Sequence, residues 1–344
     1  MYLKKGKNRG IANYEYLALV MRLLYYLLVV AGIVSCNNEE KNDVLAQGPY
    51  GPLTDSIKHS PKNADLYYRR GELLYQNNEF NYAIKDIRKA WQLNPKEEYA
   101  LGLTAVWRKT SEDSAIAFLQ EANLQLPQSI ALHVALARGY QNKGKAEDAL
   151  NITNSIIQQY PNQIDALLLK AELLRELSRK DEAMQTLEKA YSYAPFDREL
   201  VQNLGFAYAE AGNAKALPLC DSLIKADSSD AHPEPYYLKG VYWEAKKNNA
   251  VAIKFFDEAV KHDYYFMDAY MEKGQVLYNE KRYDDAVKTF QLAATVSPTF
   301  ADTYLWVGKC LEAMGNKADA KLNYQRAYQM DKSMTEAKEA ADRL

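Results

Sequence analysis

The sequence predicts an all-α protein built as an array of stacked helical hairpins. Two observations predict this class. First, 48% of the 344 residues are hydrophobic, yet only 15 are Gly and 11 are Pro, which is too few turn residues for a protein of many short strands. Second, small residues recur with a period of about 34 residues, the length of a helix-turn-helix unit that cannot bury its apolar face alone. Each unit is therefore expected to be buried by its neighbours.

The recurring small residues mark the points where two helices should cross. Gly240, Gly274 and Gly308 follow one another at this period. A series of alanines has the same spacing: Ala252, Ala286 and Ala320. Prolines follow the second helix of several units, where a helix must stop. These prolines are Pro95, Pro127, Pro161, Pro195 and Pro298.

These positions resemble the consensus of the tetratricopeptide repeat, in which small residues fall at positions eight, twenty and twenty-seven and proline at thirty-two. The resemblance covers Ala64 to about Met334. It implies a right-handed superhelical solenoid of about eight repeats, ending in a capping helix. The predicted repeats are 64–97, 98–129, 130–163, 164–197, 198–232, 233–266, 267–300 and 301–334, and the polar residues 335–344 are predicted to form the capping helix.

Two of the predicted repeats depart from the period. Pro95 and Pro127 are closer together than one period, which predicts a shortened turn inside the second repeat. In the fifth repeat, Gly205 and Gly240 are farther apart than one period, and residues 227–233 are predicted to form a lengthened loop. This loop is either a joint or a plain surface insertion, since loops tolerate extra residues.

Residues 1–35 have the pattern of a secretory signal peptide, in which basic residues precede an apolar stretch that is too short to span a bilayer comfortably. The stretch ends in Ile33, Val34, Ser35 and Cys36, which resembles the lipobox of bacterial lipoproteins and implies lipidation at Cys36. The alternative is an uncleaved helical anchor with an incidental cysteine. A start at Met21 would also leave a compact lipoprotein signal, so the sequence leaves the choice between this start and the first residue open.

Residues 36–63 are predicted to form a lipidated polar tether, because Asn, Glu, Gly and Pro dominate its composition. In the lipoproteins that this segment resembles, an aspartate after the cysteine favours retention in the inner membrane. Asn37 stands there instead, which favours the bacterial outer membrane, facing the periplasm. Acidic residues Glu39 and Glu40 also resemble the export tags of some surface lipoproteins, so surface exposure is left open.

Composition and motifs exclude several classes of function. With 43 Lys plus Arg against 45 Asp plus Glu, the net charge of -2 gives no field that would attract nucleic acid. The histidines and cysteines lack zinc-site spacing, and we expect Cys220 and Cys310 to be small buried hydrophobes. The common phosphate-binding, dinucleotide, metalloprotease and serine-hydrolase motifs are absent. We therefore expect no catalytic residue, metal, cofactor or small-molecule substrate.

In the family that this chain resembles, positions two, five, nine, twelve and thirteen line the groove that holds partner peptides. In the seven well-phased repeats these positions hold twelve acidic residues and three basic ones. Six of the acids lie in the first helical turn, where the helix dipole alone favours them. The remaining bias predicts a groove for a Lys/Arg-bearing segment of another envelope protein. Its predicted contacts are Tyr68, Glu72, Tyr75, Glu172, Glu176, Phe206, Glu210, Tyr237, Glu244 and Tyr278.

The sequence thus predicts a membrane-anchored, non-enzymatic scaffold or adaptor that binds other proteins or peptides in the bacterial cell envelope. One alternative is a permanent assembly subunit of an outer-membrane, secretion or motility machine. A second alternative is an envelope enzyme or chaperone with a cryptic site.

Overall fold

The computed structural model describes residues 44–226 and 232–344, and all the regular structure in these two ranges is helical. The prediction of an all-α fold is therefore confirmed. Two 3₁₀ turns, Val44–Ala46 and Gly48–Tyr50, precede the first α-helix. The α-helices are α1 Gly51–His59, α2 Ala64–Gln76, α3 Phe80–Leu93, α4 Glu97–Thr110, α5 Glu112–Gln125, α6 Ile130–Asn142, α7 Ala146–Gln159, α8 Ile164–Glu176, α9 Lys180–Tyr193, α10 Arg198–Glu210, α11 Ala216–Ala226, α12 Glu234–Ala245, α13 Asn249–His262, α14 Met267–Asn279, α15 Tyr283–Val296, α16 Ala301–Ala313, α17 Lys317–Met330 and α18 Thr335–Arg343.

Each predicted repeat contains two of these helices, and a left-handed residue reverses the chain between them in seven repeats. In the seventh repeat this residue is Lys281, and its neighbour Arg282 donates a 2.9 Å backbone hydrogen bond to Leu277, five positions back. This bond satisfies a carbonyl that the end of the first helix would leave unpaired. The left-handed residues are Asn78, Gly144, Ser178, Gly212, Lys247, Lys281 and Gly315, with φ between 59° and 83°.

A glycine at position eight lets the two helices of a hairpin cross closely. A Cβ atom added to Gly274 would lie 2.4 Å from the ring of Phe290 in the second helix. The same close approach joins Gly240 to Phe256 in the sixth repeat, at 2.4 Å. A buried aromatic ring thus fills the space that the glycine leaves, and this pairing fixes the distance between the helices.

The fifth repeat is packed differently. Its second helix, α11, has 11 residues, whereas α13 has 14, and its first turn is of the 3₁₀ type, with Ala216 N–H donating to Asn213 O at 3.0 Å. The buried residues of α11 are Ala216, Cys220 and Leu223, none of them aromatic. The predicted lengthened loop lies mostly outside the described residues, which stop at 226 and resume at 232.

The second repeat is irregular as predicted, because the single residue Ser111 separates α4 from α5, so the shortened turn is confirmed. The chain divides into two compact units at this turn, the first ending at Thr110 and the second beginning at Ser111.

The polar tether predicted for residues 36–63 is wrong over Gly51–His59, which form helix α1. This helix packs on α2 and is fixed there by a buried network. Arg70 donates two hydrogen bonds to Asp86, at 2.6 and 2.8 Å, and a third to the Thr54 hydroxyl of α1, at 2.9 Å. Because a buried guanidinium needs all its partners, the network holds α1 against the first repeat.

The remaining predictions concern cysteines and the membrane. Cys220 and Cys310 are buried, and burial raises the pKa of each thiol to about 12, which confirms them as small buried hydrophobes. Among the helices of 44–226 and 232–344, none has the length and apolar character needed to cross a membrane. The predicted signal peptide, the Met21 start and Cys36 lie outside the described residues.

Candidate functional site

We call the surface formed by positions two, five, nine, twelve and thirteen of the first helices the groove face. Within the second unit, first helices of successive repeats contact one another: α6 with α8, α10 with α12, α12 with α14, and α14 with α16. Side chains from neighbouring repeats therefore lie side by side on the groove face. In this arrangement a partner peptide can contact several repeats at once.

The first unit carries three of the predicted contacts, and one of them is a core residue. Tyr68 is only 7% exposed, and its ring lies 4.7 Å from that of Tyr99, centroid to centroid. The prediction that Tyr68 lines the groove is wrong, because the next first helix covers its ring. Glu72 is exposed, and Tyr75 is half-buried, with its ring 5.9 Å from that of Phe80. Burial, and then the Glu72 carboxylate, raise the pKa of the Tyr68 hydroxyl.

The acids of the fourth repeat are exposed and already have partners on the same face. Gln141 donates to Glu172 at 2.9 Å and also to Glu176. Arg138 lies 3.5 Å from Glu172. Glu172 and Glu176 thus lie together on the groove face, and Arg138 compensates part of their charge within the chain.

The fifth repeat shows the same compensation. The guanidinium of Arg175 lies 4.6 Å from the centroid of the Phe206 ring and 3.7 Å from the Glu210 carboxylate. Lys180 lies 3.3 Å from the same carboxylate. The Arg175 guanidinium thus lies on an aromatic ring and near a carboxylate, so the protein itself supplies a cation to this part of the groove face.

The sixth and seventh repeats differ, because three acids of their first helices have no such partners. Glu244, Asp268 and Glu272 form what we call the acidic patch, and no Lys, Arg or His of the described ranges pairs with any of the three. Burial raises the pKa of Glu244. Burial, then Glu244, Asp268 and Glu210, raise the pKa of Glu272 to about 7. The carboxylates therefore repel one another in a partly dehydrated site.

Tyr237 lies beside the acidic patch. Its ring packs against Phe256 and Phe266, with centroid distances of 5.9 and 5.4 Å. Burial raises the pKa of its hydroxyl, and Glu272, Asp268 and Glu244 raise it further. The hydroxyl consequently stays neutral at physiological pH, and the ring offers an apolar surface next to the acids.

Sequence reasoning missed Glu272, which stands at position six and so outside the five groove positions. Other repeats carry Leu169, Asn203 or Leu238 at that position, so nothing in the repeat pattern signals a carboxylate there. Asp268 stands one turn before it on the same helix, whereas its relation to Glu244 emerges only when neighbouring repeats are stacked.

Tyr278 lies at the edge of a second feature, a cavity of about 500 Å³ between α16, α17 and α18. Its ring makes an edge contact with Trp306, at 5.5 Å. Lys309 lies 4.5 Å from the centroid of the Trp306 ring and 2.8 Å from Glu336 of α18. Lys309 is thus held by an acid of the capping helix, and Arg343, the second cation of this cavity, pairs with Glu312 at 2.7 Å.

None of the residues in 44–226 and 232–344 belongs to a group of three or more His, Cys, Asp or Glu side chains that could hold a metal ion. The three carboxylates of the acidic patch are therefore not such a group.

Family models described as tetratricopeptide repeat match more than half of the chain. One model matches residues 64–97, 164–197 and 301–334, with the same bounds as the first, fourth and eighth predicted repeats. Two others match residues 112–173 and 248–301.

Among curated proteins, the chain is similar to the human protein O-mannosyl-transferase TMTC1, at 25% identity over 212 residues, which cover 58% of this chain and 23% of that protein. It is also similar to anaphase-promoting complex subunit 7 of Arabidopsis thaliana, at 23% identity over 179 residues, which cover 50% of this chain and 32% of that protein. The chain spans less than a third of either relative.

Among solved structures, the fold is similar to a tetratricopeptide repeat protein from Parabacteroides merdae ATCC 43184. The TM-score is 0.56 and the identity 16%, with coverage of 82% of this chain and 98% of the other.

Proposed function

Because the chain belongs to the tetratricopeptide-repeat proteins, we propose that it is a non-enzymatic scaffold whose groove face binds a Lys/Arg-bearing segment of another protein. The acidic patch is the observation that carries this proposal. Its three carboxylates, Glu244, Asp268 and Glu272, have no cation of their own in the described parts of the chain. A partner's ammonium or guanidinium group would supply the charge that the repelling carboxylates lack.

The surroundings of the acidic patch fit a long basic side chain. Lys and Arg have apolar stems that pack on aromatic rings while the charged head reaches an acid. Tyr237 offers such a ring beside the patch, and Tyr278 offers another on the same first-helix array. Arg175, whose guanidinium lies near both the Phe206 ring and the Glu210 carboxylate, shows that a cation, a ring and an acid can meet on the groove face.

Capture from envelope extracts tests the groove proposal. The variant Glu244→Lys/Glu272→Lys reverses two charges of the acidic patch and should lose a partner that the wild-type chain captures. The matched control is Glu121→Lys/Glu258→Lys, which makes the same charge change on two second helices, α5 and α13. The control should keep the partner.

Circular dichroism should show that both variants keep the helicity of the wild type, so that a loss of capture is not caused by unfolding. If the patch variant captures the partner as well as the control does, the acidic patch is not the binding site. Capture by the wild type should also weaken with added salt, since charged contacts at a rim are screened.

The proposed location is the bacterial outer membrane, facing the periplasm, with the chain anchored through lipid on Cys36. Support comes from the signal-peptide and lipobox pattern alone. The variant Cys36→Ala should accumulate as an unprocessed precursor, measured by mass spectrometry of membrane fractions. Normal processing and membrane partitioning of this variant would contradict the anchor. Several acyl chains are needed for stable attachment, because one chain binds only marginally.

A further inference from the structure

The fifth repeat contains a cavity that the groove proposal does not use. It measures about 580 Å³ and lies between α9, α10 and α11. This volume is within the range of small-molecule sites, which are mostly apolar and carry a few converging polar groups. Its floor is formed by Leu204 and Tyr208, both buried, and its walls include Tyr191, Pro218 and Leu219.

The cavity follows from the irregular second helix of this repeat. Because α11 begins only at Ala216, after a 3₁₀ turn, Pro218 falls in its first turn. The cavity is also separate from the groove face. Leu204 and Tyr208 are one helical turn apart on α10, while Phe206 is midway between them in sequence and so lies on nearly the opposite side of that helix.

Three polar groups meet at one end of the cavity. The Tyr208 hydroxyl donates to Glu188 Oε1 at 2.5 Å, and Lys215 Nζ donates to the same oxygen at 3.0 Å. Lys215 Nζ also lies 3.4 Å from the Tyr208 hydroxyl and 5.2 Å from the centroid of the Tyr208 ring. An ammonium group is thus held between a carboxylate, a phenol and an aromatic ring.

The two charged side chains at this end of the cavity, Glu188 and Lys215, differ in their exposure to water. Glu188 stands on α9, and its side chain is 39% exposed. Hydrogen bonds from Tyr208 and then Lys215 lower the pKa of this carboxyl, so it stays ionised at neutral pH. Lys215 belongs to the turn before α11, and its side chain is 63% exposed. The carboxylate is therefore a fixed part of the cavity, whereas the ammonium can leave it for water.

We propose that this cavity binds a primary organic ammonium ion carried on an aromatic or branched alkyl body. The ligand's ammonium takes the position of Lys215 Nζ, against Glu188 and the Tyr208 ring. Its apolar body lies on Leu204, Leu219 and Tyr191. An anion is disfavoured, because Glu188 would repel it, and a neutral isostere could not replace the charge with which Lys215 pairs Glu188.

The test uses the full chain and three probes of similar size, measured by calorimetry at neutral pH. The probes are 2-phenylethylamine, the neutral 2-phenylethanol and the anionic phenylacetate. We expect binding of the amine only. Shifts of the Leu204 and Leu219 methyl signals in NMR spectra should locate it in the cavity.

Two substitutions should change the amine affinity in opposite directions. Lys215→Ala removes the internal competitor and should tighten binding about three- to fivefold, the range expected for an exposed ion pair. Glu188→Gln should weaken binding about tenfold or more, because it removes a charged hydrogen-bond acceptor. The matched control is Lys180→Ala, which removes a lysine of similar exposure, 66%, that pairs with Glu210 on the groove face. This control should leave the affinity unchanged.

Leu219→Trp keeps the polar corner but fills the cavity, and it should abolish binding even if Glu188→Gln perturbs the fold. The proposal is overturned if phenylethanol binds as well as the amine, or if Lys215→Ala leaves the affinity unchanged or lowers it. It is equally overturned if neither the wild type nor Lys215→Ala binds the amine at millimolar concentration. Loss of groove binding in the patch variant bears on a different surface and leaves these outcomes untouched.

Discussion

The fifth and seventh repeats both have a glycine at position eight of the first helix, Gly205 and Gly274, but their second helices place different residues near it. In the seventh repeat, Gly274 of α14 meets the ring of Phe290 on α15. In the fifth repeat, the residue at the equivalent distance along the chain from Gly205 is Asp221, which is exposed, and the buried neighbour is Cys220. A Cβ atom on Gly205 would meet only Leu238 of the next repeat, at 3.3 Å.

In the fifth repeat the buried residue of the second helix thus stands one position earlier than in the seventh, and this shift changes how the two helices pack. The ring of Phe290 fills the space over Gly274, whereas no side chain of the shorter helix α11 comes within 4 Å of a Cβ placed on Gly205. The 580 Å³ cavity lies in the loosely packed repeat. The partner-free carboxylates of the acidic patch lie in the closely packed repeats that follow.

Substitution of the two glycines by alanine should change the free energy of unfolding by different amounts, and Gly274→Ala should have the larger effect. Gly274→Ala should destabilise the chain by about 2 kcal/mol, because the new methyl would lie 2.4 Å from Phe290 and force one helix to move. Gly205→Ala should cost less than about 1 kcal/mol, since alanine's higher helix propensity offsets a mild contact. Urea unfolding of both variants measures the difference.

A double variant tests whether the cost of Gly274→Ala comes from the contact with Phe290. Adding Phe290→Leu to Gly274→Ala should remove part of the penalty, because the smaller side chain makes room for the methyl group. Equal costs for the two glycine substitutions would show that the crossings are packed alike.

The pH dependence of stability should also differ between an acid of the seventh repeat, Glu272, and one of the fifth, Glu210. Burial raises the pKa of Glu272 to about 7, from 4.5, so the folded chain binds this proton more tightly than the unfolded chain. Its contribution to stability is present below about pH 4.5 and is lost as the pH rises through 7. Glu272→Gln should therefore match the wild type near pH 4.5 and be more stable at pH 8, by about 1 kcal/mol after allowance for partial exposure.

Glu210→Gln in the fifth repeat is the matched control. It loses the contacts with Arg175 and Lys180, so no gain in stability is expected at pH 8. Thermal unfolding at the two pH values measures both variants, and a pH-independent effect of Glu272→Gln would contradict the placement of this carboxylate.

The smallest expected effect concerns the turns. Lys281 has φ of 62° in the seventh repeat, while Gly212 takes the same position in the fifth, at 60°. Lys281→Gly should stabilise the chain by about 0.5 kcal/mol, because relief of left-handed strain exceeds the added flexibility of the unfolded chain. Gly212→Lys should destabilise it. The same sign for both substitutions would show that the turns are not equivalent.

The hairpins could be predicted from the sequence because each is a local unit marked by its own small residues and prolines. Helix α1 could not, since Gly51 and Pro52 signal a turn. Proline is tolerated in the first turn of a helix, and here that helix is held by Arg70 and Asp86, whose burial no repeat pattern shows.

The candidate site was predicted less completely for a related reason. The five groove positions identify which side of each first helix is available, but they do not show what a neighbouring repeat places beside it. Tyr68 is covered by Tyr99, and Glu210 is already paired with Arg175, which the five positions do not indicate. Glu272 joins the acidic patch although its position is not among the five, because its pKa is raised by Asp268, one turn earlier on α14, and by Glu244 of the neighbouring repeat.

Photocrosslinking from two positions of the seventh repeat tests the central claim, that a partner lies on the groove face, most directly. A benzophenone side chain at Gln275 would stand on the first helix α14, at groove position nine, and one at Leu292, which is 43% exposed, on the second helix α15. In cells that produce the full chain, we predict a partner adduct from position 275 that high salt suppresses, and none from position 292. Adducts from position 292 alone, or equally from both positions, would contradict the account.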